Sequence, residues 1–194
     1  MMQPPFKITV CGLEELPGHS TIGVSHILSI LDPEFPVPDA FDSYGAHERL
    51  ELRFHDIIEE KPGMLAPQPS HVERLLAFGR SLAAEPAADA HLLVHCHAGI
   101  SRSTASLTLM VAQAAPDRPA SEILSEILGI RPIAWPNLRI IEMGDRLLSR
   151  DGELIRATRA LYGVRLRRQP DLAATMIAGG REREVRAATP PAPG

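Results

Sequence analysis

Short apolar segments in the first hundred residues have the pattern of β-strands. Lys7–Cys11 is rich in β-branched residues, and Val24–Leu31 is an apolar run that ends before a proline-rich loop. Apolar and polar residues alternate strictly in Leu50–Phe54, which predicts a half-buried strand. His91–His95 is short and apolar enough for a buried central strand. This part of the chain is therefore predicted to supply the sheet.

Helical periodicity appears before the last of these segments and dominates the chain after it. Ser70 and Glu73 have the spacing of a capping box, and the apolar positions of the helix that they open are Val72, Leu75, Leu76, Gly79 and Leu82. The pattern is helical again from Ser103, and further windows cover residues 119–128, 137–149, 153–162 and, more weakly, 170–178. Strands that alternate with helices, followed by helices alone, favour an α/β sheet layered by helices over a bundle or an all-β sandwich.

Composition and charge change towards the end of the chain. We expect one domain over residues 1–163 and an extension over residues 164–194, weakly helical and then disordered from about Gly179, where glycine and proline are frequent. The net charge of −4 divides into −9 for residues 1–155 and +5 for residues 156–194. The acidic body argues against a nucleic-acid-binding domain. The arginine-rich stretch Arg156–Arg168 is expected to be a solvated helix face, with a docking surface for an anionic partner as the alternative.

The sequence also predicts the cellular compartment of the protein. No signal peptide is recognisable, and no apolar run approaches the length of a membrane span. Two cysteines, Cys11 and Cys96, cannot build a disulfide framework and favour a reducing compartment. We therefore expect a cytoplasmic protein without a membrane partner. The excess of 18 arginines over 2 lysines is typical of a GC-rich bacterial genome.

The segment Val94–Thr104, with the sequence VHCHAGISRST, carries the candidate chemistry. A buried strand ends in a cysteine, a loop with Gly99 follows, and a helix begins at residues 101–103. Backbone N–H groups of such a loop can turn inward around an anion, and the helix N-terminus adds its own unpaired N–H groups. Arg102 brings a planar fork suited to two oxygens of one phosphate. The segment therefore predicts an anion-binding cradle.

The same loop holds a candidate nucleophile. A helix N-terminus and a neighbouring arginine favour the thiolate form of a cysteine, here Cys96, and the thiolate is the reactive form. Ser103 is placed to donate a hydrogen bond to the sulfur. His95 is expected to brace the loop rather than to transfer protons. The alternative without a catalytic role is that Cys96 is a small core residue at the end of a strand.

Two segments resemble a known family. The stretch from His95 to Ser103, HCHAGISRS, resembles the His-Cys-x5-Arg-Ser/Thr signature of the cysteine-dependent protein tyrosine phosphatases, and the dual-specificity type most of all. Arg131–Asn137, RPIAWPN, resembles the Arg-Pro…Pro-Asn segment that precedes the last core helix of that subfamily. The layout agrees from about residue 6 to residue 150. The resemblance implies a three-layer domain with a central mixed, mostly parallel sheet flanked by helices.

The resemblance also implies a mechanism without a metal or a cofactor. Cys96 would attack phosphorus and form a phosphocysteine, while Arg102 holds the equatorial oxygens. Asp56, at the end of a predicted strand, fits the place of the acid that protonates the leaving oxygen and later activates water. Proton donation of this kind is typically worth about 10²–10⁴-fold in rate. The loop residues implied to bind the phosphate are His97, Ala98, Gly99, Ile100, Ser101 and Arg102.

Several alternatives remain open at this stage. Other acidic residues lie near Asp56 in sequence: Asp39, Asp42, Glu59 and Glu60. The loop has His97 and Ile100 where phosphoinositide-directed relatives carry lysines, which disfavours lipid phosphates. His91, His95, Cys96 and His97 are potential zinc ligands, but all lie on one strand and its turn, so no metal site is expected. Cys11 is expected to be an inert strand residue, with a disulfide to Cys96 as the alternative.

The leading functional hypothesis is therefore a metal-independent phosphomonoesterase that acts on phosphorylated proteins, with phosphotyrosine favoured over phosphoserine and phosphothreonine. The second hypothesis is a phosphatase of a small phosphate, such as a nucleotide or an inositol phosphate. The third is a phosphate-binding interaction module with little or no turnover. A rhodanese-type sulfurtransferase also carries a cysteine in an anion-binding loop, but the two matching segments argue against it.

Overall fold

The computed structural model describes residues 6–84 and 90–188, which form an α/β domain. Its strands are β1 (Lys7–Cys11), β2 (His26–Leu31), β3 (Glu48–Arg53) and β4 (His91–His95). They form one sheet in the order β1-β4-β2-β3, and every neighbouring pair is parallel. The predicted α/β class is confirmed, and β4 is central as expected. The sheet of the described residues is purely parallel, however, rather than mixed.

The two faces of the sheet contribute to two different clusters. Leu28 and Ile30 of β2, with Val94 of β4, belong to the main core, which the α-helices complete. The residues between them point the other way, because successive side chains of a strand alternate between faces. Ile27 and Leu93 pack there against two 3₁₀ helices, Leu13–His19 and Asp39–Ser43.

In residues 6–84 and 90–188, seven α-helices follow or separate the strands. Their bounds are α1 (Pro69–Ala84), α2 (Arg102–Ala114), α3 (Ala120–Ile130), α4 (Leu138–Leu147), α5 (Glu153–Arg168), α6 (Leu172–Ala178) and α7 (Glu182–Ala187). The predicted apolar face of α1 is buried as a set. Helix α2 is buried on all sides from Arg102 to Ala112, because it packs against both α1 and α4 as well as the sheet. Its N-terminus is thereby fixed at the end of β4.

The C-terminal part corrects one prediction. The disorder predicted from about Gly179 is wrong for residues 179–188, where α7 forms and Glu184 is fully buried. The division at residue 163 falls inside α5, so the extension continues a helix of the domain. The glycines that suggested disorder terminate α6: Gly180 adopts φ +77°, and Arg181 N–H donates to Met176 O at 2.9 Å. Residues 189–194, the rest of the predicted disordered stretch, lie outside the described residues.

None of the helices in the described ranges is long and apolar enough to span a bilayer.

Candidate active site

The loop that joins β4 to α2 lies at the carboxyl edge of the parallel sheet. It begins at Cys96 and turns at Gly99, which has φ +67°. A Cβ atom on Gly99 would lie 2.5 Å from the carbonyl carbon and oxygen of Cys11. The loop therefore packs directly on the end of β1, and only glycine meets both the close approach and the left-handed conformation.

The carbonyl oxygens of this loop are bonded on its outer side. Each oxygen from residue 97 to residue 101 accepts a hydrogen bond from outside the loop. The donors are Leu13 N to His97 O (2.9 Å), Arg131 Nη2 to Ala98 O (3.0 Å), Arg131 Nε to Gly99 O (3.1 Å), Trp135 N to Ile100 O (2.9 Å) and Asn137 N to Ser101 O (3.2 Å). The N–H groups of residues 97–101 donate to no acceptor in the described ranges. The loop is thus polarised, with its carbonyls outward and its amides left for an anion.

Arg131 holds the loop from the outside. Besides its two bonds to loop carbonyls, its guanidinium pairs with both carboxylate oxygens of Glu15, at 2.9 and 2.8 Å. The hydrogen bond from Arg131 is the main cause that lowers the pKa of Glu15, against a smaller effect of burial. Glu15 in turn accepts from Gly12 N–H at 2.6 Å. The Arg-Pro…Pro-Asn segment therefore braces the anion loop.

Cys96 and Ser103 form the predicted pair. Their Sγ and Oγ atoms lie 3.3 Å apart, and Ser103 is fully buried in the first turn of α2. Cys96 is 2% exposed, but it lines an open cavity of about 460 Å³. Asp56 and Arg102 line the same cavity, as do the loop residues His97, Ala98, Ile100 and Ser101. The structure brings the predicted nucleophile, arginine and acid together around one space.

The guanidinium of Arg102 is held along one side. Its Nη1 donates to Phe54 O and to Asp32 Oδ1, both at 2.6 Å. Its Nε is buried and donates to no acceptor in the part of the chain that the structure describes. Because Nη1 makes both bonds, the parallel N–H groups of Nε and Nη2 are left to grip two oxygens of an anion.

Asp56 is anchored through one of its two carboxylate oxygens. Oδ1 accepts hydrogen bonds from Ser101 Oγ (2.8 Å), Asn137 Nδ2 (2.9 Å) and Arg181 Nη1 (3.1 Å). Burial raises the pKa of Asp56, but the charges of Arg181 and Arg102 and the two neutral donors outweigh burial and hold the pKa below its usual value. Oδ2 receives none of these bonds.

The other acidic candidates lie away from the cavity. Asp39 and Asp42 are exposed on a 3₁₀ helix on the far face of the sheet. Glu59 pairs with Arg183, and Glu60 pairs with Arg139. Asp56 lines the cavity, and none of these four other candidates does.

The histidines near the loop point in different directions. His95 is fully buried under the loop, its Nε2 lies 2.7 Å from Ser29 Oγ, and burial lowers its pKa to about 4. His97 lies at the cavity, where its Nε2 accepts from Asp32 N–H at 3.3 Å. Burial, followed by the charge of Arg102, lowers the pKa of His97. His91 is bonded to Thr9 at 2.9 Å.

Within the described residues there is no group of three or more potential metal ligands. Both cysteines are free thiols. Cys11 packs in the cluster on the far face of the sheet, and burial, with the charge of Glu15 second, raises its pKa to about 12. It therefore remains a protonated thiol at neutral pH.

Three polar residues of the site were missed by sequence reasoning: Asp32 and Arg181 line the cavity, and Asn137 bonds to Asp56. Asp32 directly follows β2, and its signal is topological, since the carboxyl ends of neighbouring parallel strands meet at one edge. Asn137 was noted only as part of a motif, yet it caps α4 through Ile140 N–H and also donates to Asp56. Arg181 had a weak local signal, the Gly179-Gly180 pair that ends a helix just before it.

The backbone resembles that of several solved phosphatases. Human DUSP28 matches with a TM-score of 0.56 at 16% sequence identity, over 76% of this chain and 94% of that protein. PTPMT1 in complex with PI(5)P matches with a TM-score of 0.54 at 14% identity, over 74% and 91%. This chain has the dual-specificity phosphatase fold. The fold implied by the two sequence segments is thereby confirmed.

A third similar structure is that of a protein named as a phosphatase-like interacting protein rather than as a phosphatase. The human tyrosine phosphatase-like serine/threonine/tyrosine-interacting protein matches with a TM-score of 0.53 at 18% identity, over 73% of this chain and 87% of that protein. No protein family model matches the chain, and no curated protein matches its sequence.

Proposed function

We propose that the protein is a metal-independent phosphomonoesterase of the cysteine type. The observation that supports this proposal most strongly is the polarised loop beside the cavity that Cys96 lines. Five successive carbonyls of this loop accept hydrogen bonds from outside it, while the amides of the same residues donate to no acceptor in the described ranges. An anion seated there is held next to a nucleophile and to the unbonded side of Arg102. Backbone amides and a guanidinium fixed in advance are an effective way to stabilise the charge of phosphoryl transfer.

The first step is transfer of the phosphoryl group to sulfur. The Cys96 thiolate forms the S–P bond while the bond from phosphorus to the ester oxygen breaks, and its electron pair goes to the leaving oxygen. Asp56, protonated on Oδ2, gives its proton to that oxygen. Arg102 and the loop amides hold the three equatorial oxygens. The products are the alcohol or phenol and a phosphocysteine.

The second step releases phosphate. Asp56, now a carboxylate, takes a proton from water, whose oxygen attacks phosphorus as the S–P bond breaks. The electron pair returns to sulfur, and Ser103 stabilises the thiolate by donating a hydrogen bond across the 3.3 Å between Oγ and Sγ. The enzyme is regenerated with inorganic phosphate as product, and no metal is needed.

Phosphotyrosine is the substrate class that we propose. The cavity of about 460 Å³ exceeds the size of a phosphate group, and its walls include Met64, Ile100, Trp135 and Met176. Apolar and thioether groups pack well against an aromatic ring. Both arginines among the described lining residues of the cavity are already bonded to acidic groups, and none of those lining residues is a lysine. A second phosphate on the substrate would therefore find no free cation, which disfavours inositol polyphosphates.

The test is hydrolysis of p-nitrophenyl phosphate in the presence of EDTA. We expect turnover by the wild type and a loss of about 10⁴-fold or more in Cys96→Ser, as for other nucleophile deletions. Cys11→Ser is the matched control, because Cys11 is a buried thiol away from the cavity. Equal rates for the wild type and Cys96→Ser, or loss of turnover on chelation, would refute the mechanism. A panel of phosphotyrosine, phosphoserine, inositol phosphate and nucleotide substrates then tests the substrate class.

A further inference from the structure

The C-terminal segment, residues 172–188 with α6 and α7, reaches the candidate acid directly. Arg181 Nη1 donates to Asp56 Oδ1 at 3.1 Å, and its Nη2 donates to Ser101 Oγ at 2.9 Å. Ser101 itself donates to the same Asp56 oxygen. One side chain from the end of the chain is therefore bonded to both the predicted acid and the anion loop.

Arg181 is fixed in this position by a buried partner in α7. Glu184 is fully buried and accepts two bonds from Arg181, both at 2.8 Å. It also accepts from Trp135 Nε1 at 2.6 Å and from Leu138 N–H at 2.8 Å. A buried ion pair satisfied by further hydrogen bonds sets a defined geometry rather than a loose contact.

The turn before Arg181 determines the direction in which the chain continues at this residue. Gly179 and Gly180 close α6 with the pair of reverse hydrogen bonds of a glycine cap, Gly180 N–H to Ile177 O and Arg181 N–H to Met176 O, both at 2.9 Å. The same segment also walls the cavity with Thr175, Met176 and Gly179. The glycine cap therefore reverses the chain beside the cavity, so that residues on both sides of the turn line it.

We propose that Arg181 is a positioning residue of the active site, delivered by the C-terminal segment, which fixes Asp56 so that Oδ2 is the oxygen that carries the proton. This inference rests on the proposed phosphatase function. Because Oδ1 already accepts three hydrogen bonds, we expect a proton on Asp56 to bind to Oδ2. Holding an acid in one orientation can be worth about 10²-fold in rate when the alternative is a displacement of about 1 Å.

Arg181 also sets the pH range in which Asp56 can act. Among the described residues, the charged and titratable groups that share the cavity with Asp56 come from every element around it: Arg181 of the C-terminal segment, Arg102 at the start of α2, Cys96 and His97 of the loop, His55 after β3 and Asp32 after β2. Burial raises the pKa of Asp56, while Arg181 is the first of the groups that lower it. Removing the Arg181 charge must therefore raise the pKa of Asp56 and extend its protonated form to higher pH.

The experiment compares the pH dependence of kcat/KM for phenyl phosphate among full-length variants. We expect Arg181→Met to move the alkaline limb of the profile to higher pH and to lower the plateau by about 10-fold to 10²-fold, as expected for a misplaced acid. Arg181→Lys keeps the charge and should restore the position of the limb. Arg183→Met is the matched control, since Arg183 lies in the same C-terminal segment but pairs with Glu59 and Glu142.

Folding is checked in the same samples. Trp135 is the single tryptophan, and it is buried and bonded to Glu184, so its emission reports docking of the C-terminal segment. If Arg181→Met detaches the segment, the double variant Arg181→Met/Glu184→Met removes both buried charges together and should show the same shift of the limb. An unchanged limb in a docked Arg181→Met variant, or an equal shift in Arg183→Met, would overturn the inference.

A measurement without turnover separates this inference from the proposed function. Carbon-13 NMR titration of the aspartate carboxyls, with Asp56 assigned through Asp56→Asn, reads the pKa of Asp56 directly. We expect the Asp56 resonance to titrate at higher pH in Arg181→Met than in the wild type. The same titration in both proteins would contradict the role of Arg181, whereas a wild type without hydrolytic activity would contradict only the phosphatase proposal.

Discussion

The loop after β4 and the C-terminal segment each place one buried arginine against the same cavity, but they do so through different kinds of sequence information. Arg102 lies six positions from Cys96, and the short loop between them fixes their separation. Arg181 lies 125 positions from Asp56, and a turn, a buried glutamate and the packing of α5 to α7 bring them together. The loop is therefore encoded locally, whereas the contact of the C-terminal segment exists only in the folded chain.

Substitution of Asp56 tests the two regions together, because Ser101 of the loop and Arg181 of the C-terminal segment both donate hydrogen bonds to it. We expect Asp56→Asn to lower kcat by about 10²–10⁴-fold for phenyl phosphate, whose leaving group needs a proton. The loss should be much smaller for p-nitrophenyl phosphate, a better leaving group. Steady-state kinetics with both substrates measures the ratio. An equal loss for the two esters would remove Asp56 from the acid role.

The glycine of the loop has the next largest expected effect. In Gly99→Ala, the new Cβ meets the Cys11 backbone at 2.5 Å while the residue holds a left-handed φ, so the loop must shift. We expect kcat/KM to fall by about 10²-fold, as for a displacement of about 1 Å. Gly129→Ala is the control, since a Cβ at Gly129 meets no atom within 4 Å. Activity of Gly99→Ala close to that of the control would show that the loop does not depend on this turn.

Asp32 tests the Arg102 side of the cavity separately, because its carboxylate contacts that arginine. Its carboxylate lies 2.6 Å from Arg102 and also lines the cavity. Asp32→Asn removes one negative charge beside the bound phosphate, so we expect the inhibition constant of inorganic phosphate to fall by about 3-fold to 10-fold. Asp39→Asn, at an exposed position on the far face of the sheet, serves as control. Weaker inhibition by phosphate in Asp32→Asn would contradict the placement of the anion.

The smallest effect is expected at the glycine of the C-terminal segment. Gly180→Ala strains a residue with φ +77° and brings Cβ to 2.7 Å from the flexible end of Lys61. Lys61 Nζ can move, so the remaining cost is the left-handed backbone, about 1 kcal/mol. We expect a small loss of stability in denaturant unfolding and a few-fold loss of activity. A loss as large as that of Gly99→Ala would mean that the C-terminal segment is as critical to turnover as the loop.

The same contrast explains how much could be predicted from sequence. Strands with clear alternation, such as Leu50–Phe54, and the helix stripe of α1 depend on local periodicity and were identified. The anion loop was identified because Cys96, Gly99 and Arg102 lie within seven consecutive residues. Asp32 was missed because its role depends on which strands are neighbours in the sheet.

The C-terminal segment was misjudged for a related reason. Glycine-rich composition without periodicity is typical of disorder, and α7 is too short to show an apolar stripe. Its stability comes instead from one buried polar network around Glu184, which joins Arg181, Trp135 and Leu138. No window of sequence contains those partners together.

The central claim is that the Cys96 sulfur is the nucleophile and becomes phosphorylated. The most direct measurement is acid quenching of Asp56→Asn with p-nitrophenyl phosphate, followed by peptide mass spectrometry. In this variant the second step lacks its base, so the phosphocysteine should accumulate. We expect the mass of one phosphoryl group on the peptide that contains Cys96, and none when Cys96→Ser is added. A phosphoryl group on another residue, or turnover without any phosphorylated peptide, would contradict it.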